Sequence, residues 1–445
     1  MEFLCDIDAL KSAAADAVRL AVQNGADAAE AAAFESGGME VETRGGKMDG
    51  AHMSREQGIS VTVYAKGGEG AASVGELRPA ALKTAVEKAL VIARAAAADP
   101  CAGLADKETM ASEFPDLSLY HPRAISADEA FLLARECEES ARAAHPSVCP
   151  EKSEAAFSSG AAQSAYANSH GFCAAESSTS YSMSCQAIAE KDGQMERDGW
   201  SETRRQFSLL PPAAATGKKA GEFAAKRLGA KKIRSCRANV LFLAPASHSL
   251  IYHLVGAASG GALYRKTSWL LEKLNEQICA PHLNIVERPH LPGEMRSAAF
   301  DDEGAATAER MIVENGVWRG RFLSAYTARR LGTQTTANAG GAHNLEVRGK
   351  TLPLAELMKM LGAGLVVTDL MGQGINPVTG DYSRGAAGFW AENGEIVHPV
   401  SEATIAGNLL QMLPNIEALG DDVMRRGLAQ CGSILIPDLM LGGGG

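Results

Sequence analysis

Aromatic residues are scarce: Phe, Trp and Tyr together make up 5% of the 445 residues. A core must therefore be built mostly from Ala, Val, Leu, Ile and Met. Long apolar runs are absent as well. None reaches the ~18 residues a membrane-spanning helix needs, so no membrane partner is expected. The nine cysteines are scattered, odd in number and without a Cys-x-x-Cys pair. A disulfide scaffold is excluded, and a reducing compartment is the simplest reading. Basic charge is not in excess: 43 Lys and Arg stand against 53 Asp and Glu, a net charge of −10. Proteins that coat nucleic acid need surplus Lys and Arg to displace phosphate counterions, so direct nucleic-acid binding is not expected. The first residues hold no basic and apolar leader pattern, because Asp6 and Asp8 interrupt them. A cytoplasmic location follows as the expectation.

What is present is ordinary globular material. Hydrophobic residues reach 46% and charged residues 22%, enough apolar mass to offset chain entropy. The length predicts two or three domains. Ile7, Leu10, Ala14, Val18 and Ala21 recur at helical spacing, and Asn24-Gly25 stops that run. Ile59, Val61 and Val63 alternate with polar residues as a half-buried strand. Leu82, Val86, Leu90 and Ala93 mark a second helix, and Ser126 with Glu129 sets a capping-box pattern before a third. From about 151 to 205 the chain is strand-like and Ser-rich, with turns at His170-Gly171 and Asp192-Gly193. Residues 209–237 read as a connector: Pro211-Pro212, a helical stretch, then a basic cluster of Lys218, Lys219, Arg227, Lys231, Lys232, Arg234 and Arg237. Beyond it come a buried strand at Val240 to Leu243, a helix from Ser247 to Ala258, and Asn-Gly hairpins at Asn315-Gly316 and Asn393-Gly394. A short helix from Leu354 stops at Gly362. The expected fold is α+β in two domains: 1–208, with helices on an antiparallel sheet, and 238–445, β-rich, hairpin-built and barrel-like, joined by 209–237.

Motifs that would carry chemistry are few. Gly261 to Thr267 partly matches a phosphate loop, but Arg265 stands where a glycine must precede Lys266. His253 lies on an apolar helix whose next turn offers Leu254, Val255, Gly256 and Ala257, so a packed core His competes with a metal ligand. A lone Cys431 reads as a small buried hydrophobe. The glycine-rich stretch from Met371 to Phe389 is long enough for a functional loop, and could present Asp381, Ser383 and Arg384. Ala339 to Asn344 is similar, with His343 and Asn344 as polar heads. These five residues are the candidates for a peptide-binding cleft. No Ser/His/Asp or Cys/His arrangement can be identified by spacing.

Several long strings are idiosyncratic. They include Asp99 to Lys107, Asn168 to Phe172, Met195 to Gly199, His253 to Thr267, Phe300 to Gly304, Gly362 to Trp390, Pro399 to Leu409 and Gln430 to Pro437. On these strings the chain resembles the PmbA branch, also called TldE, of the TldD/PmbA family over nearly its whole length. The resemblance implies a cytosolic protease system that trims unfolded peptides, matures a peptide antibiotic and turns over an antitoxin. It also implies an α+β N-terminal domain joined to a β-rich C-terminal one. In the TldD branch an HExxxH helix and a later Cys hold zinc. Anchored on Val255-Gly256, the first His of that helix falls on Tyr252, the Glu on His253 and the second His on Ala257. Only the late Cys survives, as Cys431. Zinc hydrolysis needs three protein ligands and a base, so Cys431 and His253 are vestigial candidates. The expectation is a chain without its own cofactor, paired with a TldD-type subunit that carries zinc, and homodimeric when isolated. Its C-terminal sheet would accept an extended peptide by strand addition. Two rivals stand beside this: an active homodimeric metallopeptidase using an unrecognised site, with His253, His343 and Cys431 as ligands, and a non-enzymatic modulator of DNA gyrase.

Overall fold

The first helix shows how local signals become structure. The computed structural model describes Phe3 and Cys5–Gly443. In α1 (Ile7–Gln23), the Asp6 carboxylate accepts from the Asp8 N–H and caps the start. Leu10, Ala13, Ala14, Ala17, Val18 and Ala21 form the buried stripe. Gly25 ends the run at φ 89°, a left-handed conformation that glycine adopts without strain. The chain divides into two compact units.

Unit 1 comprises residues 1–225, 292–307 and 324–340. Its six-stranded sheet is antiparallel throughout: β1 (Ala28–Arg44), β2 (Lys47–Ala65), β3 (Gly68–Val74), β4 (Glu154–Asn168), β5 (Cys173–Lys191) and β6 (Gln194–Arg204), in the order β3-β2-β1-β4-β5-β6. Alternate residues Ala29, Ala31 and Ala33 of β1 are buried together with Val61 and Val63 of β2. α1 and α2 (Pro79–Ala95) cover this stretch and supply Leu82, Val86, Ala89 and Leu90 to one alanine-rich core. Small side chains bring the layers close: a Cβ on Gly70 would strike the backbone at Ala89 and Ala93. Farther along β1, Met39, Val41 and Thr43 continue the buried face. There α3 (Ala127–Ala144) lies against the sheet, capped by the Ser126 hydroxyl as its sequence predicts. Asp192-Gly193 makes the predicted β5–β6 hairpin, with both φ values positive as a type I′ turn requires.

The strings 300–304 and 99–107 find their roles in unit 1. Phe300 meets Phe172 edge-on at 5.5 Å. Asp301 accepts from the N–H groups of Glu303, Ala305 and Ala339. Arg329 donates to the carbonyls of Cys101, Gly103 and Leu104, and Arg330 pairs with Asp99. Within residues 209–237, α4 (Ala213–Lys226) is regular helix, and the contact boundary falls between Ala225 and Lys226.

Unit 2 comprises residues 226–291, 308–323 and 341–445. One of its sheets is mixed: β8 (Asn284–Glu287), β9 (Arg310–Glu314), β10 (Val317–Trp318), β11 (Leu345–Arg348), β17 (Met424–Arg426) and β18 (Ala429–Cys431), ordered β10-β9-β8-β11-β18-β17. The other contains β7 (Cys236–Phe242), β12 (Thr351–Leu352), β13 (Gly364–Met371), β14 (Asp381–Glu392), β15 (Glu395–Asn408), β16 (Ala418–Gly420) and β19 (Ile434–Gly442). Because β19 also pairs with β7, the strands β7, β13, β14, β15 and β19 close into a five-stranded barrel. The expected barrel-like, hairpin-built unit is what folds. Both Asn-Gly turns form, at Asn315-Gly316 and Asn393-Gly394, and the helix Leu354–Leu361 ends at Gly362 with φ 63°.

One expectation needs correction here. The stretch from Met371 to Phe389 is not one long loop. The loop spans 372–380 only, and Asp381, Ser383 and Arg384 belong to β14. The glycines misled: Gly385 and Gly388 are strand positions, the latter lying against the Val366 carbonyl where no Cβ fits. Barrel closure partners β7, β13, β14, β15 and β19 with one another, while the other sheet of this unit ends on β10 and β17.

Candidate functional site

The helix singled out in the sequence is α5 (Ala244–Ala258), longer by one turn than its apolar pattern predicts because Pro245 opens it. Its buried face carries Ser247, His248, Leu250, Ile251, Leu254 and Ala257. His248, overlooked by spacing arguments, lies between the Ala244 and Met424 carbonyls, 2.5 and 3.2 Å from its two ring nitrogens, and burial lowers its pKa. It ties α5 to β17. Tyr252 is 39% exposed. Its hydroxyl donates to the Arg426 carbonyl at 3.5 Å and accepts from the Leu428 N–H at 3.3 Å. The turn between β17 and β18 therefore closes around Tyr252.

His253 points elsewhere. Its ring meets Tyr382 edge-on, with centroids 6.2 Å apart. Burial, reinforced by the Arg384 charge, drives its pKa down to about 4, so the imidazole is neutral at pH 7. Tyr382 and Arg384 share a face because they are alternate residues of β14. The Tyr382 side chain is 1% exposed, and burial pushes its phenol up to about 12. Arg384 donates one N–H to the Leu370 carbonyl at 3.2 Å. Three buried polar atoms in this group have no hydrogen bond: His253 Nε2, Tyr382 Oη and Arg384 Nε.

Cys431 ends β18 with 0% exposure. Its thiol donates to the Gly432 carbonyl at 3.2 Å, and burial raises its pKa to about 12. Metal ligation needs a thiolate. Among the described residues no group of three or more His, Cys, Asp and Glu could hold a metal ion. The charge nearest His253 is a guanidinium, which neither ligates a cation nor tolerates one beside it. The residues at α5 do not fit a zinc centre.

The other sequence candidates have separate surroundings. His343 and Asn344 are buried just ahead of β11. The His343 ring and backbone N–H both contact Glu287 Oε1, at 3.1 and 2.9 Å. Arg310 holds the other oxygen, at 2.5 Å from Nη2 and 3.1 Å from Nε. Burial alone would raise the Glu287 pKa; the His343 hydrogen bond and the Arg310 charge outweigh it and hold the carboxyl below its usual range. Asn344 donates to the Arg288 carbonyl. Glu287 and Arg310 were not singled out in the sequence; a charge at the edge of each apolar strand was the available sign. Asp381 and Ser383 are exposed on the opposite face from Tyr382 and Arg384. Asp381 accepts from Thr379 and Asn408 and so fastens the end of the 372–380 loop. Of the five cleft candidates, only Arg384 shares surroundings with His253.

Three family models cover the chain: a PmbA/TldA metallopeptidase domain 1 at 29–93, a central domain at 120–228 and a C-terminal domain at 235–443. Metalloprotease PmbA of Escherichia coli O157:H7 is 40% identical across all of this chain and 99% of its own length. The chain belongs to the PmbA/TldA metallopeptidase family. The Metalloprotease PmbA homolog of Haemophilus influenzae is 40% identical over 98% of this chain and 96% of its own. Among solved structures, a Bacteroides thetaiotaomicron protein described as a modulator of DNA gyrase superposes with a TM-score of 0.92, covering 97% of this chain and 98% of its own at 28% identity. TldE from Thermococcus kodakarensis shares the fold, with a TM-score of 0.82 over 96% of this chain and 99% of its own at 20% identity. No helix among the described residues is long and apolar enough to cross a membrane.

Proposed function

We propose that this chain is the PmbA-type, non-cleaving subunit of a cytoplasmic peptidase complex whose zinc sits in a TldD-type partner, and that it positions unfolded peptides for that partner. Family membership supports the peptidase setting. The observation that carries the subunit assignment is the donor set on α5: Tyr252, His253 and Ala257 stand at the zinc-helix positions, and His253 faces Tyr382 and Arg384. An imidazole whose pKa is driven down to about 4 by burial and the Arg384 charge is a poor general base for a zinc-bound water. A non-cleaving subunit contributes by holding the substrate in a reactive geometry and limiting water access.

The test is cleavage of an unfolded peptide by this chain alone, by a TldD-type partner alone, and by the mixture. Cleavage on mixing is expected, with none by this chain alone. It should vanish when the partner's HExxxH Glu is replaced, and survive Cys431→Ala here. Chelator-sensitive cleavage by this chain, shown partner-free by mass spectrometry, overturns the proposal.

A further inference from the structure

The sheet of unit 1 has an edge that no strand covers. β1 pairs with β2 from Lys47 to Tyr64, whereas β3 pairs only with Ile59 to Ala65. Among the described residues no backbone hydrogen bond reaches the outer side of 47–58. Residues 51–56 are exposed on both faces. Natural sheets blunt such edges with charge or proline. β6, at the far side of the sheet, follows that rule with Glu196, Arg197, Asp198, Glu202 and Arg204. On β2 the charges stand apart, at Lys47, Asp49, Arg55 and Glu56, and residues 50–54 hold no Lys, Arg, Asp, Glu or Pro. A cavity adjoins this neutral stretch. Met53, Met39, Ser159 and Tyr181 oppose one another across β2, β1, β4 and β5 and form one row on one face. With Ile125 they line a cavity of about 150 Å³, room for one benzene-sized group. Met39 and Tyr181 are buried while Met53 is 79% exposed, so the row opens at the β2 edge. The polar groups around it are engaged. The Tyr181 hydroxyl donates to the His121 carbonyl and accepts from the Arg123 N–H. The Arg123 guanidinium pairs with Glu129 and covers the Phe207 ring, and the Thr179 hydroxyl donates to the Arg205 carbonyl.

We propose that this edge and cavity are a docking site for an extended peptide, which joins the sheet as a further strand outside β2 and buries one Leu-sized apolar side chain in the cavity. An unpaired row of N–H and C=O groups is matched by the main chain of an extended segment, whatever its sequence. The peptide residue falling opposite Met53 projects on the cavity's face, because directly opposed residues share a face. Met53 is unbranched and exposed, so it yields to an incoming side chain. The neutral centre of the edge and the engaged polar groups select an apolar side chain over a charged one. A second copy of this chain is the poorer occupant. Asp49 and Arg55, the charges it would pair with, are already held by Arg44 and Glu35. The site deepens the function proposed above, on which the identity of the occupant as an unfolded peptide rests; the edge and the cavity are read from the structure alone.

The experiment is fluorescence anisotropy of the full chain with a labelled, unstructured Ser/Thr peptide carrying one central Leu. Replacing that Leu with Ala should weaken binding roughly ten-fold, as buried methylenes are lost. Two further versions, N-methylated at alternate residues and offset from each other by one position, should part company. One set of methyl groups faces β2 and abolishes binding; the other faces solvent and leaves affinity near the parent value. Met53→Glu changes an exposed side chain, so the melting temperature should stay near the parent value while affinity falls about ten-fold. Equal weakening by both methylated versions, or no preference for Leu over Ala, overturns the proposal. So does binding that survives Met53→Glu. A dimer in sedimentation velocity that Met53→Glu dissociates assigns the edge to a second copy and overturns the peptide assignment. No binding of any of these peptides overturns the site outright. Edge-dependent binding without cleavage in any mixture would leave the docking site standing and remove the proposed function. Cleavage on mixing that Met53→Glu leaves unchanged, with no peptide bound by this chain, would do the reverse.

Discussion

Glu287 is a buried carboxylate with both oxygens engaged, by His343 on one side and Arg310 on the other. Such a pair is weak evidence for stability in itself, because desolvation cancels much of the attraction. Breaking it is another matter. Arg310→Ala should cost about 3–5 kcal/mol, because it strands a charge inside the protein; denaturant unfolding gives the number. The pH dependence has a definite sign. The folded pKa of Glu287 lies below the ordinary value, so the unfolded state takes up its proton first as pH falls. The contribution is fully present above the usual Glu range and is lost as pH drops through and below it. Melting temperatures between pH 7 and pH 3 should fall less steeply for Arg310→Ala than for the parent. Parallel curves would show that the pair carries no linked protonation. His343 and Asn344 read in the sequence as polar heads on a glycine run; what they touch depends on β8 and β9, strands far away along the chain.

At the scale of elements, the glycines of β14 set how closely the barrel strands pack. A Cβ on Gly388 would collide with the Val366 carbonyl, whereas one on Gly385 would meet Met371 Cβ at 3.4 Å, an ordinary contact. Gly388→Ala should therefore lower stability by about 1–3 kcal/mol through strand displacement, and Gly385→Ala by little. Equal melting temperatures for the two variants would contradict this reading of the barrel. The same packing explains the shortened loop. Nine residues, 381–389, that seemed too glycine-rich for a strand belong to β14, because its neighbours β13 and β15 come close enough to require missing side chains. In α4 the logic repeats: Gly217 and Gly221 face the backbone of α3 near Cys137 and Ala141. A stretch that reads as a connector is a helix seated tightly on unit 1.

Over the whole molecule, the nine cysteines are all free thiols, and four of them, Cys137, Cys185, Cys279 and Cys431, are buried. Burial raises the Cys279 and Cys431 thiols to about 12 each, far from reactive thiolate. A thiol-titrating reagent at pH 8 should modify the exposed Cys173 first, leave these four untouched in the native protein, and reach all nine only in denaturant. Prompt native modification of Cys431 would contradict the packing around β18. The sequence by itself determined the α+β class, α1 to α3, the three Asn-Gly and Asp-Gly hairpins and the family, because caps, turn dipeptides and long strings are local signals carried by adjacent residues. Tertiary structure alone decided that residues 292–307 and 324–340 return to unit 1, that five strands close into a barrel, and that His253 meets Tyr382 and Arg384. The physical reason is separation along the chain: α5 and β14 lie more than a hundred residues apart, and a side chain's chemistry is set by neighbours that its own segment cannot name.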